Sequence, residues 1–100
     1  MIVMDRENLF APGWSHVCST ADDPAELEAF RRRVGAPPAA LQLGNPRWPH
    51  LDLRGEPRRQ ALLQPDVRVF ERSVELVGFM RAVRQAGGTT GRRDGGGGER

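Results

Sequence analysis

The sequence contains no lysine and no tyrosine, one cysteine and two histidines. Each scarcity excludes something. A single cysteine, Cys18, leaves no disulfide to form within the chain. All fifteen cationic side chains are arginine. With abundant Ala, Gly and Pro, that usage reads as the codon bias of a GC-rich genome, not as an adaptation to nucleic acid. Through residue 85, twelve arginines face eleven carboxylates. That balance is too even for a dedicated DNA binder, so a nucleic-acid partner is not favoured. Long apolar runs are also missing. No stretch approaches the ~18 residues that cross a bilayer. MIVMDRENLF meets Asp5 and Glu7 before any apolar core develops, so no secretory leader is expected. The expectation is a cytoplasmic protein with no membrane partner.

What is present divides the chain in two. The last fifteen residues, AGGTTGRRDGGGGER, hold seven of the twelve glycines and almost nothing apolar. Such a segment buries too little surface to offset its ordering entropy, so 86–100 reads as a disordered Gly/Arg-rich tail. Residues 1–85 are left to form one domain with a thin core, which a homodimer would enlarge.

The apolar pattern predicts short alternating elements. IVM at 2–4, closed by Asp5, suits a buried strand. WSHVCS at 14–19 alternates, placing Trp14, His16 and Cys18 on one face and Ser15, Val17 and Ser19 on the other. Asp23, Pro24 and Glu26 make a helix start of the capping-box kind, and Leu27, Phe30 and Val34 form its apolar stripe. Arg31, Arg32 and Arg33 complement the helix C-terminus, and Gly35 stops it. Residues 36–49 carry four prolines and read as an irregular connection with one helical turn at 38–42. HLDL at 50–53 alternates again. A short helix follows from Gly55 to Gln64, then a strand at 67–70, then a helix at 73–85 capped by Ser73. Alternating strands and helices predict a small α/β domain: a mostly parallel sheet of about four strands with three helices.

The candidate chemistry lies at the strand ends. Asp5, His16, His50 and Asp52 are the residues to weigh, because ligands of parallel sheets bind beyond the carboxyl ends of strands. His50 and Asp52 share one face of a strand, about 7 Å apart along the chain. That spacing suits two ligands of one divalent metal, with His16 or Asp5 as a third, or an acid–base pair. No HxH, HExxH or CxxC motif reinforces the metal reading. The bland alternative is the polar half of a half-buried strand. Trp14 and Trp48 each precede a histidine by two residues, as WSH and WPH. They read either as cover for a thin core or as aromatic walls for a flat ligand. Arg47, Arg54, Arg58 and Arg59 flank HLDL, and Arg58 and Arg59, opening a helix, offer a phosphate site. Cys18 reads as a small buried hydrophobe.

The order of these motifs resembles a known group. A strand ends in Asp5, then come Trp14 and His16, and then Glu26, Leu27, Ala29 and Phe30 before Gly35. His50 and Asp52 follow, then the pair Arg58 and Arg59, then Glu75, Leu76 and Val77. The chain over 2–84 thus resembles the short bacterial and phage proteins of domain-of-unknown-function family 4031. The resemblance implies a compact cytoplasmic domain and favours Asp5, His16, His50 and Asp52 as the site. It supplies no substrate. Two positions depart from the pattern: Glu28 stands where such proteins often have His, and Leu51 where they often have Tyr or Phe. If that histidine helps bind a metal or substrate in the family, the site here is altered, or Glu28 substitutes as an oxygen ligand.

Two functions are therefore expected as alternatives. The first is a His/Asp pocket that binds, and in the stronger form hydrolyses, a phosphorylated or nucleotide-like ligand. His16, His50 and Asp52 would be the catalytic or metal-binding groups, and Asp5, Trp14, Trp48, Arg58 and Arg59 would contact the ligand. The second is a non-enzymatic interaction module that contacts a protein or nucleic acid through arginines and the tail.

Overall fold

The computed structural model describes residues 1–44 and 48–88. Five strands and three helices follow one another: β1 (Ile2–Glu7), β2 (Trp14–Ser19), α1 (Pro24–Val34), a 3-10 turn (Pro38–Ala40), β3 (Leu41–Gln42), β4 (His50–Arg54), α2 (Gly55–Leu62), β5 (Arg68–Arg72) and α3 (Ser73–Gly88). The strands form one sheet in the order β3-β4-β2-β1-β5.

The α/β class holds, but the sheet is mixed and five-stranded. It is not mostly parallel, and it does not have four strands. Only β1 and β5 pair in parallel. The pairs β1–β2, β2–β4 and β3–β4 are antiparallel. The reason lies in the link after β1. Residues 8–13 are too few for a crossover and make a hairpin. Asn8 N–H donates to the Trp14 carbonyl at 2.8 Å, and Gly13 turns the chain with φ +87°. β3 has two residues, too few to show a period, which is why the pattern did not reveal it.

The helices divide between the faces. α1 spans from β2 to β3, and α2 from β4 to β5. Both pack on the face that carries Met4, Val17, Leu51 and Leu53. α1 starts as the sequence predicts, with the Asp23 side chain accepting the Ala25 N–H. Glu26 does not close the box, however. It takes the Ser19 hydroxyl and the N-terminal amine instead. Gly35, at φ +76°, ends the helix, and its N–H and that of Ala36 reach the carbonyls of the last turn.

α3 alone covers the other face. Leu76 and Met80 pack on Val3 and Cys18, with Phe70 and Phe79 at the edge. One helix cannot roof five strands. α3 packs chiefly on β1 and β5 and reaches β2 at Cys18, so among the described residues β4 and the far end of β2 are the less covered part of this face. α3 runs three residues past the boundary expected at 85. The rest of the expected tail, 89–100, and Arg47 lie outside the described residues. Among the described residues, no helix is long and apolar enough to cross a membrane.

Candidate functional site

The less covered part of this face is polar because of strand register. β2 is the middle strand of three, and His16 sits directly opposite Asp52 of β4. On the other side β1 begins to part from β2. Regular pairing covers Ile2–Ser19, Val3–Cys18 and Met4–Val17, whereas β1 stays with β5 as far as Glu7–Arg72. Side chains fill the opening. The Asp5 carboxylate turns back and accepts the His16 backbone N–H at 2.6 Å. Ser15 Oγ donates to the Arg6 carbonyl at 2.7 Å.

Asp5 is fully buried and has three donors around it. Besides the His16 N–H, they are the His16 ring, with Nδ1 2.9 Å away, and Ser73 Oγ at 2.6 Å. A carboxylate only accepts, so His16 carries its proton on Nδ1. Nε2 then faces outward. It lies 4.0 Å from Asp52 Oδ1 and 3.4 Å from Asn8 Nδ2. His50 closes the group. Its Nε2 is 3.4 Å from Asp52 Oδ1, and its ring meets that of His16 edge-on at 5.8 Å. The four residues expected at the site thus come together.

Electrostatics follow from these contacts. Burial pushes the Asp5 carboxyl up. The hydrogen bonds from the His16 ring, Ser73 and the His16 backbone outweigh it and hold the carboxyl below its ordinary range. The Asp5 bond raises the His16 imidazole above its ordinary value against burial, and the charges of Asp5 and Asp52 add to the rise. The His50 contact lowers Asp52, again against burial. Cys18, buried on the same face, has its thiol pushed up to about 12 by burial, with the charges of Asp5 and Asp22 adding.

Beside the cluster lies a cavity of about 170 Å³. His16, His50 and Ser73 supply its polar wall, and Leu76, Val77 and Met80 of α3 supply its apolar wall. Trp48 closes one side, with the Arg84 guanidinium 4.5 Å over its ring. A larger groove of about 490 Å³ opens where β3 stops short of β4, between Trp14, Arg54 and the 3-10 turn. Asp52 also lines this groove.

Several expectations need correction. Trp14 and Trp48 do not face each other across one ligand space, because each lines a different hollow. Arg58 and Arg59 do not reach the cluster. They are on α2, which packs on the opposite face of the sheet. Arg58 donates to the Arg6 carbonyl at 2.6 Å and to Ser15 Oγ at 2.9 Å, bracing the opening between β1 and β2. Arg59 pairs with Glu56 at the surface. Glu28 is also across the sheet, held by Arg31 and Arg32, so it adds no oxygen to the site. His16, His50 and Asp52 do not form a ligand set. Among the described residues, no three His, Cys, Asp or Glu side chains are arranged to hold a metal ion.

Two participants escaped the sequence reading. Ser73 reads as a helix cap, but its hydroxyl goes to Asp5, and Glu75 takes the Arg72 N–H instead. Asn8 reads as loop. Its only signal is its residue type, since an asparagine in a short link suits a side chain that bonds its own backbone.

No protein-family profile matches the chain, and no curated protein or solved structure matches it.

Proposed function

We propose that the cluster is a small-molecule pocket with acid–base chemistry centred on His16. One observation carries this reading: a fully buried carboxylate orients an imidazole that lines an accessible cavity. Asp5 holds Nδ1, so Nε2 is the atom that takes a proton from a ligand or water and returns it. Asp52 and His50 lie beside Nε2 and would receive the ligand's polar groups. The cavity has room for on the order of five or six water molecules, which is enough for a ring but not for a whole nucleotide. Among the described residues its walls join Trp48 to two imidazoles and the Ser73 hydroxyl, with no carboxylate and no arginine. The ligand is therefore a small planar one, neutral and able to hydrogen-bond. A nucleotide-like molecule would enter base first, with any phosphate left outside. Hydrolysis is within reach of such a site, with His16 as the base that activates water.

The test is a chemical-shift titration of the labelled protein with adenine, cytosine, adenosine monophosphate and inorganic phosphate. Base-containing probes should move the His16, His50 and Trp48 indole signals, and phosphate alone should not. His16→Gln should weaken the response. No movement at these three residues with any base would overturn the proposal. A second reading, as an interaction module, draws on the hairpin tip, where Leu9 and Phe10 are 68% and 95% exposed. Shifts confined to that tip would favour it.

A further inference from the structure

Hydrogen-bond accounting extends the site into the β1–β2 hairpin. Asn8 has one acceptor and two donors on its amide. Its Oδ1 accepts the Phe10 N–H at 3.0 Å, closing a turn of its own backbone. That contact fixes which way the amide points, so Nδ2 is the end 3.4 Å from His16 Nε2. A donor there requires a lone pair on Nε2. The same lone pair follows independently from Asp5, which holds the proton on Nδ1. The chain Asp5, His16, Asn8, Phe10 therefore has one consistent set of donors and acceptors.

We infer that Asn8 is the positioning residue of this site: it caps the Nε2 lone pair of neutral His16 until a proton displaces it, and ties that state to the hairpin tip. The inference rests on the acid–base reading above and adds a regulatory consequence. A proton on Nε2 puts two donors face to face. The amide relieves the clash by turning over, which takes Oδ1 away from the Phe10 N–H. The tip then loses its side-chain acceptor, while the Ala11 N–H keeps its bond to the Asn8 carbonyl. Proton uptake at His16 is thus read out at Leu9 and Phe10. The other groups facing His16 are Asp5 from β1, Cys18 from its own strand, and His50 and Asp52 from β4. α3 contributes Ser73 and apolar side chains, with Arg84 over Trp48. Among the described residues Asn8 meets both His16 Nε2 and the Phe10 N–H, so Asn8 is the link.

The experiment is a pH titration of the intact protein, following imidazole nitrogens and backbone amides by NMR. With only two histidines, assignment is direct. In the wild type, neutral His16 should carry its proton on Nδ1, and the Phe10 amide should shift with the His16 midpoint. In Asn8→Ala, the Phe10 amide should stop following, and the His16 midpoint should rise because the donor opposing protonation is gone. Asn8→Asp should restore an acceptor for Phe10 and raise the midpoint further. A Phe10 amide that stays flat in the wild type, or that responds equally in Asn8→Ala, overturns the inference. With the Nδ1 proton still observed, that result leaves the acid–base reading standing. A neutral His16 protonated on Nε2 overturns both.

Discussion

Replacing Asp5 tests the site at its anchor. Its carboxylate is fully buried and accepts from the His16 backbone, the His16 ring and Ser73. Asp5→Ala leaves three donors without that acceptor and opens a space beneath His16. Breaking a buried charged pair costs about 3–5 kcal/mol. A domain of this size has about 5–10 kcal/mol in total, so this variant will be barely folded. Asp5→Asn is the informative change. Its Oδ1 still accepts the His16 N–H, but its NH2 now faces Ser73 and Nδ1. Ser73 can rotate to accept, and His16 must move its proton to Nε2. Three charge-assisted bonds become neutral ones, a loss of about 2–4 kcal/mol. The pH dependence has a definite sign. Asp5 is depressed, so its contribution is present above the ordinary carboxylate value of about 3.9 and is lost as pH falls through the folded value. His16 is raised, so its contribution is complete below about 6.5 and is lost as pH rises through the folded value. The gap between wild type and Asp5→Asn should therefore be widest between about pH 4 and 6.5. Urea unfolding at several pH values measures it. A gap that stays constant from acid to alkaline pH, or that is absent at pH about 6, would refute the reasoning.

Two further outcomes follow from the corrected placements. Arg58→Ala should lower stability by about 1–2 kcal/mol, through loss of its bonds to Arg6 and Ser15, and should leave the adenine-induced shifts at His16 and His50 unchanged; urea unfolding and the same titration check both. Cys18, buried with its thiol raised to about 12, should react with a disulfide reagent at pH about 8 at least tenfold more slowly in the native protein than in urea, as absorbance of the released thiol would show.

Local signals were legible because local physics sets them. The alternation of WSHVCS correctly put Trp14, His16 and Cys18 on one face, and the Asp23–Pro24 start and Gly35 stop bound α1 as read. The chemistry-bearing residues were legible as types at strand ends. Their pairing was not. That Asp5 meets His16 depends on β1 and β2 being hairpin neighbours, and that Asp52 meets it depends on β4 lying on the other side. Strand order is set by packing across the whole sheet and leaves no mark in a five-residue window. Arg58 and Arg59 were misjudged for a related reason. Their helix is close to His50 in sequence, but the crossover carries it to the opposite face. Ser73 and Asn8 carry common turn and cap residue types, and only the third dimension shows where their side chains go.

The mixed topology also explains why the two carboxylates beside His16 differ. In the order β4-β2-β1, the imidazole sits on the middle strand with an aspartate on each side. α3 covers β1, so Asp5 is sealed beneath its first turn and saturated by three donors. Among the described residues nothing seals Asp52 in the same way: it stays about a third exposed and lines the larger groove. Asp5 therefore cannot receive a ligand and can only orient. Asp52 can receive one, with His50 at its side. The division follows from one helix over five strands. Had α3 lain over β4, the roles of the two aspartates would be reversed.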